Sequence, residues 1–254
     1  MAVVLGLQVL LALTTLCLGV LSLAAARRVG GTSLQTSAWL VTGVAFTLEG
    51  ISGTLQSTSA VWAVVAGEGS SVYAAYLRWS TVGNHGRSVL KIGLGLALIC
   101  LPLTRNVAPR RLPLAVTVWL ILFMGLGGLL GWSEGAIQAR HFSRVALLDT
   151  AEMLVTWGAL FIALFTGAID RLLWVALAVN GFRQALNVIW TSAMAWLDTP
   201  GAWVPSSREM QVYACASLLI MVVLAFRRLH LAENGVPVSG LLDLEARPRS
   251  SMLG

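Results

Sequence analysis

Charged residues are scarce in this chain. Of its 254 residues, 11% are charged and 57% are hydrophobic, and the mean hydropathy is +0.81. Soluble domains carry about 25% charged residues, so this composition excludes an ordinary soluble domain and favours a protein that crosses a membrane several times. The net charge of +6 does not predict nucleic-acid binding, because the basic residues of membrane proteins collect in cytoplasmic loops.

Lysine, histidine and cysteine are also nearly absent. The only lysine is Lys91, and the predicted last helix has none, which excludes a retinal protein of the microbial rhodopsin type. The histidines are too few for the intramembrane zinc site of a seven-helix hydrolase or for bis-histidine haem. The cysteines stand singly, without a pairing pattern or metal-ligand spacing. We therefore expect no metal ion and no cofactor, and we favour a non-enzymatic protein.

Long apolar segments predict the fold. A spanning helix needs about 20 mostly apolar residues, and seven segments approach that length. We predict an all-α, seven-transmembrane-helix bundle with helices at residues 3–25, 37–64, 88–104, 113–132, 146–168, 172–197 and 210–227. Residues 1–228 would form one domain and residues 229–254 a short cytoplasmic tail. The segment "SSVYAAYLRW", residues 70–79, is interpreted as an amphipathic turn in an outer loop before the third helix.

Loop arginines predict the orientation. If the chain crosses seven times, one side collects Arg27, Arg28, Arg105, Arg110, Arg111, Arg171, Arg227 and Arg228. The positive-inside rule makes that side cytoplasmic, with the N-terminus outside and the C-terminus inside. The preference for arginine over lysine is typical of a GC-rich genome, and we expect a multi-pass protein of a bacterial inner membrane.

Polar stripes run along three of the predicted helices. Helix six carries the longest, because its polar residues recur at i, i+3, i+4 and i+7 and so share one helical face. Charged groups inside a membrane are costly, and they face the bundle interior or water. The stripes are Asn180, Arg183, Gln184 and Asn187 on helix six, Glu49, Ser52 and Gln56 on helix two, and Asp149, Glu152 and Thr156 on helix five.

Depth along the helices suggests how these stripes meet. At 1.5 Å per residue, Arg183 lies about 16 Å along helix six and Glu49 about 18 Å along helix two. Both are near the middle of a hydrocarbon core of roughly 30 Å. We therefore predict a Glu49–Arg183 pair at the floor of a cavity open to the outside, with Glu152 and Asp149 on its wall. Because Asp149 is nearer the helix end, facing the outer water is the favoured alternative for this residue.

Such a cavity predicts a binding site for a small polar or anionic ligand, serving sensing or transport. Arg183 would anchor an acidic group through its planar guanidinium. Glu49 would hold Arg183 in place, and three amides of helix six would orient the ligand. Glu49 and Glu152 are the groups that could change protonation if solute or protons move. The predicted ligand-binding residues are Arg183, Glu49, Asn180, Gln184, Asn187, Glu152 and Gln56.

Basic side chains in the outer loops would form the rim of the cavity and attract anions. The predicted rim residues are His85, Arg87, Arg140, His141 and Arg144, and Lys91 could snorkel outward beside them. The expected partners are the lipid bilayer, the small ligand and, as an open alternative, another membrane protein, but not nucleic acid.

Two other readings of the stripes stay open. Intramembrane polar networks also hold helices together, so the chain could be a structural or assembly subunit of a larger membrane complex. Alternatively, Glu49, Asp149 and Glu152 could act as acid–base groups in an intramembrane enzyme that acts on lipid. Glycines at GxxxG spacing, Gly127 and Gly131, predict close helix packing in the fourth segment.

Overall fold

Seven long helices make up the described part of the protein. The computed structural model describes residues 2–29, 34–106, 111–134, 141–166, 169–197 and 206–235, and these contain no strand. All seven helices are long and apolar enough to span a membrane, which confirms the predicted all-α architecture. The helices are α1 (Ala2–Val29), α2 (Leu34–Ala66), α3 (Ser71–Cys100), α4 (Leu112–Glu134), α5 (His141–Thr166), α6 (Arg171–Trp196) and α7 (Ser207–Glu233), and a 3₁₀ helix (Leu101–Asn106) follows α3.

The start of α3 corrects the largest error in the predicted boundaries. The helix begins at Ser71 rather than near residue 88, so the segment expected as a loop turn is its first part. Gly67 and Gly69 adopt positive φ and turn the chain after α2. The Ser70 hydroxyl then accepts a hydrogen bond from the Tyr73 backbone N–H at 3.1 Å and caps the new helix.

Successive helices run antiparallel, so the bundle has two faces. The first half of α1 lies beside the second half of α2, where Gly53 approaches Ala12, and the second half of α1 lies beside the first half of α2, where Gly43 approaches Leu23. The N-terminal face holds the first residues of α1, α3, α5 and α7, and the C-terminal face holds their last residues. Six helices close a ring in the order α1, α2, α3, α5, α6, α7, while α4 packs outside it, mainly on α3.

Glycines permit the closest helix contacts. A Cβ at Gly50 would lie 2.5 Å from the Cα of Leu16, so α1 and α2 pack backbone to backbone there. A Cβ at Gly131 would lie 2.8 Å from the Thr81 carbonyl oxygen, and one at Gly127 would be 2.8 Å from Val89 Cβ. The prediction that the glycine pair of α4 allows close packing is confirmed, and the partner is α3.

A buried apolar layer fills the ring toward the C-terminal face. It is built mainly of leucines that are at most 6% exposed, namely Leu90, Leu94, Leu98, Leu160, Leu173 and Leu177. These side chains come from α3, α5 and α6, and they separate the polar interior from the loops of that face. We call this layer the leucine floor.

Polar contacts tie the C-terminal face together below the floor. Asp170 caps α6 by accepting from the Leu173 backbone N–H at 2.9 Å, and it also accepts from the Trp39 indole N–H. Arg228 Nε lies 3.5 Å from the same carboxylate. The sequence predicts Arg228 in a loop after helix seven, but α7 continues to Glu233, so this arginine is a buried helix residue.

Candidate functional site

A polar cavity of about 370 Å³ lies inside the six-helix ring. It extends toward the N-terminal face, where Val145 of α5 and Ser207 of α7 border it. All six ring helices contribute to its wall, and α4 does not. Its charged and amide-bearing lining residues are Gln8, Glu49, Gln56, Asn84, Arg87, Lys91, Asp149, Glu152, Arg183, Gln184, Asn187 and Gln211.

Lys91 forms the ionic centre of the cavity. Its Nζ lies 3.0 Å from Glu49 Oε1 of α2 and 3.5 Å from Glu152 Oε1 of α5. The Lys91 side chain is 11% exposed, Glu49 is 13% exposed and Glu152 is 1% exposed. A single cation from α3 therefore joins two carboxylates from the helices on either side of it. Because these charges are withdrawn from water, each depends on the others for compensation.

The predicted Glu49–Arg183 pair is wrong. Glu49 pairs with Lys91 instead, and the Arg183 guanidinium bonds within its own helix. The depths were estimated well enough for both residues to reach the same cavity. Their rotation about the helix axes could not be estimated from one sequence, and it brings Lys91 rather than Arg183 to the carboxylate. Lys91 consequently points inward and does not snorkel outward.

Asp149 lines the cavity wall, and it is buried instead of facing the outer water. Only 2% of it is exposed. Its Oδ2 accepts a hydrogen bond from Asn187 Nδ2 at 2.8 Å, and its Oδ1 lies 3.5 Å from the Ser88 hydroxyl. These contacts connect α5 to α6 and α3. Neutral donors, not a direct ion pair, therefore satisfy this carboxylate.

Two arginines line the cavity in matching local arrangements. Arg183 Nε and Nη2 donate to Asn180 Oδ1 at 3.2 and 3.0 Å. Arg87 Nη2 donates to Asn84 Oδ1 at 2.6 Å. Each arginine thus bonds the amide of an asparagine three residues earlier, on α6 and on α3. Within the part of the chain that the structure describes, neither guanidinium forms an ion pair with a carboxylate, although the Glu49 charge attracts both.

The remaining predicted ligand-binding residues occupy different positions. Gln56 lines the cavity and donates from Nε2 to Ser80 Oγ at 2.5 Å and to Asn84 Oδ1 at 3.3 Å. Gln184 lines the cavity, and its buried Nε2 has no hydrogen-bond partner among the described residues. Asn180 is buried behind the wall and acts on the cavity through Arg183. The structure thus brings six of the predicted residues to one cavity: Glu49, Gln56, Glu152, Arg183, Gln184 and Asn187.

The predicted outer rim is wrong at two of its five residues. His85 and Arg87 belong to α3 and not to a loop. The His85 ring is 2% exposed, with Nδ1 at 3.0 Å from the Thr81 carbonyl oxygen and Nε2 at 3.2 Å from Glu134 Oε1. Arg144 is exposed and pairs with Glu134 at 3.2 Å. Arg140 lies outside the described residues, as does the side chain of His141.

Sequence reasoning missed the contribution of α3. Its cavity-facing residues Ser80, Asn84, Arg87 and Lys91 recur at i, i+4, i+7 and i+11, a spacing that also defines one helical face. That signal was present in the sequence. A polar segment between two apolar ones is typical of a loop, so the prediction leaves a fourth wall of the cavity, that of α3, unassigned.

Among the described residues no group of three or more His, Cys, Asp or Glu side chains could hold a metal ion. The described cysteines are free thiols, in agreement with their isolated positions in the sequence. The side chains that line the cavity offer charge and hydrogen bonds. In comparisons with known proteins, no family model, no curated protein and no solved structure matches this chain.

Proposed function

We propose that this integral membrane protein binds a small anion, such as a carboxylate, in the cavity of the ring and uses it for sensing or transport. The single observation that carries the proposal is the state of Arg87 and Arg183. Both line the cavity, and each donates its direct hydrogen bonds to a single asparagine. A guanidinium has five N–H donors, so most of those on Arg87 and several on Arg183 remain for a ligand.

The distribution of direct contacts favours an anion over a cation. Lys91 lies against two carboxylates, and Asp149 is satisfied by Asn187 and Ser88. The acidic groups therefore have near partners, whereas the arginines lack a carboxylate within ion-pair distance among the described residues. An incoming acidic group can accept charge-assisted bonds from both. The Gln184 amide, buried without a partner for its Nε2, offers one more donor.

The volume and position of the cavity set the kind of ligand. About 370 Å³ is at the small end of ligand pockets in proteins. The cavity extends to the N-terminal face, and the arginines Arg27, Arg28, Arg111, Arg171 and Arg227 lie toward the opposite face. The positive-inside rule makes that opposite face cytoplasmic. The ligand would then enter from outside the cell, and the membrane would be a bacterial inner membrane.

Thermal unfolding of the purified protein in detergent tests this proposal. Butyrate, succinate and phosphate are the probes, each added at increasing concentration. We expect at least one to raise the unfolding temperature, because a ligand at a hundred times its Kd stabilises the folded state by about 2.7 kcal/mol. The increase should be lost in Arg87→Gln and in Arg183→Gln. It should persist in Arg208→Gln, a matched control at an exposed arginine outside the cavity.

Two outcomes would contradict the proposal. One is that none of the three anions changes the unfolding temperature of the unmodified protein. The other is that the increase survives when Arg87 and Arg183 are both replaced by Gln, which would place the anion elsewhere on the surface.

The alternative of an intramembrane enzyme has one supporting observation. Glu49 and Glu152 reach the same ammonium group, so three titratable side chains meet in one cavity. Proton transfer would require that ammonium to be displaced by substrate. The alternative of a structural subunit predicts polar stripes that are satisfied internally, and the partnerless Gln184 Nε2 counts against it.

A further inference from the structure

A second, apolar space lies beside the polar cavity. It is a groove of about 840 Å³ between α2, α3 and α4, and it faces outward from the ring. Its wall is almost entirely hydrocarbon, with Ile51 and Leu55 from α2 and Ile121 and Met124 from α4. Trp62 and Trp79 stand at its end toward the N-terminal face. In a membrane this groove is open to the acyl chains of the bilayer.

Glycines make the groove deep. Gly125 and Gly128 of α4 line it, and so do Gly83 and Gly86 of α3. A Cβ at Gly125 would meet no atom within 4 Å, and one at Gly128 would meet only Val82, at 3.6 Å. Larger side chains at these positions would fill the space. The groove is therefore open because Gly125 and Gly128 of α4 have no side chain to fill it.

The groove and the polar cavity share part of one wall. Gln56 and Tyr76 border both spaces. Gln56 donates to Ser80 and Asn84, and Asn84 also accepts from Arg87. A short chain of hydrogen bonds therefore leads from the edge of the groove directly to an arginine of the cavity. At Gly83, the nearest atom to an added Cβ is Gln56 Oε1, at 3.6 Å, so the amide that borders both spaces lies against the α3 backbone.

From this adjacency we infer that the ligand is a single-chain amphiphile with an acidic head, of the fatty-acid class, whose chain occupies the groove and whose head reaches Arg87 past Gln56. This inference rests on the proposed anion site and names the class of its ligand. Charge complementarity supplies the head contact, and an apolar groove beside it supplies the place for the chain. A ligand with an acidic head and an apolar chain would occupy both spaces, whereas a small anion would use only the cavity.

The hydrocarbon chain and the acidic head of the proposed ligand leave water for different reasons. A hydrocarbon chain partitions into the bilayer at once, and there the groove is accessible from the side. The head is costly to hold in hydrocarbon, so it gains most from charge-assisted bonds to a guanidinium. Opening the Gln56–Ser80 and Gln56–Asn84 bonds would let it pass, and the freed amide could itself donate to the head.

Binding of radiolabelled dodecanoate and radiolabelled butyrate to the detergent-purified protein tests the inference. We expect dodecanoate to bind more tightly than butyrate. Gly125→Leu should lower dodecanoate affinity about tenfold or more, because the new side chain occupies groove volume, and should leave butyrate affinity unchanged. Gly125→Ala should give a smaller loss in the same direction, which keeps the test valid if the leucine variant folds poorly.

The matched control is Gly158→Leu, on α5. A Cβ at Gly158 also meets no atom within 4 Å, and this residue borders neither space. It should leave the binding of both acids unchanged. Arg87→Gln should weaken both acids, because it removes a head contact that they share.

The outcomes separate this inference from the proposed function. If butyrate binds and depends on Arg87 while Gly125→Leu leaves dodecanoate affinity intact, the anion site stands and the groove is not its chain site. If Gly125→Leu only converts a dimer to a monomer, measured by light scattering, the groove holds a second copy of this chain and the inference fails. If neither acid binds while succinate or phosphate still stabilises the protein through Arg87 and Arg183, the proposed function stands and this inference fails. If none of these anions binds, both fail.

Discussion

Replacing Lys91 with methionine gives the sharpest test of the cavity's ionic centre. The change keeps most of the side-chain length and removes the ammonium that lies 3.0 Å from Glu49 and 3.5 Å from Glu152. Removing one partner of a buried ion pair costs about 3–5 kcal/mol, because the other charge stays buried. Glu49 keeps 13% of its side chain exposed and attraction from two arginines, so we expect a cost near the lower end.

The free energy of unfolding, measured by titrating the detergent-solubilised protein with a denaturing detergent, checks this value. A second replacement, Glu152→Gln, should recover part of the loss in the Lys91→Met background, because it removes the less exposed of the two uncompensated charges. The difference between single and double variants isolates the coupling of the pair. Arg144→Gln serves as the comparison, because its ion pair with Glu134 has an arginine side chain that is 58% exposed.

That exposed pair should contribute less than about 1 kcal/mol. The reasoning would be refuted if Lys91→Met cost no more than Arg144→Gln. It would also be refuted if Glu152→Gln added its own loss to that of Lys91→Met, because the two residues would then act independently.

Two further predictions concern packing and orientation. Gly50→Ala should lower the free energy of unfolding by about 1–3 kcal/mol, because its Cβ would lie 2.5 Å from the Leu16 backbone. The control is Gly6→Ala, whose Cβ would meet no atom within 4 Å, and this variant should be at least as stable as the unmodified protein. In a cysteine-free background, Glu68→Cys should react with a membrane-impermeant maleimide on intact cells and Glu233→Cys only after permeabilisation; the reverse pattern would invert the proposed orientation.

Most of the fold could be predicted because apolar segments long enough to span a membrane can be identified directly from the amino-acid sequence. Each of the seven apolar segments became a helix, since only helices and closed barrels satisfy the backbone inside lipid. The start of α3 was missed for the opposite reason. The part of α3 before the predicted start carries Ser80, Asn84 and Arg87, whose polarity resembles that of a loop, and only the assembled ring shows that they face a cavity.

The depth of the site residues in the membrane could be predicted, but the direction in which each helix face points could not. Distance along a helix follows from counting residues at a fixed rise, which brought Glu49, Glu152 and Arg183 correctly to one cavity. The pairing of Glu49 depends on how α2, α3 and α6 are rotated and on the ring order. Helix rotation and ring order arise from packing among all the helices, including the glycine contacts of α1 with α2. They cannot be read from a single sequence.

The leucine floor has an electrical consequence. If water enters the cavity, it carries the potential of the N-terminal side inward as far as Lys91, and most of a transmembrane voltage then falls across the apolar layer beyond it. Along α3 that layer spans about 10 Å, from Lys91 to Leu98. An anion that settles beside Arg183 crosses little of this field, whereas one that passed the floor would gain or lose about 2.3 kcal/mol for each 100 mV. Binding would then respond weakly to voltage, as suits a receptor, and voltage-sensitive binding would indicate a passage through the floor.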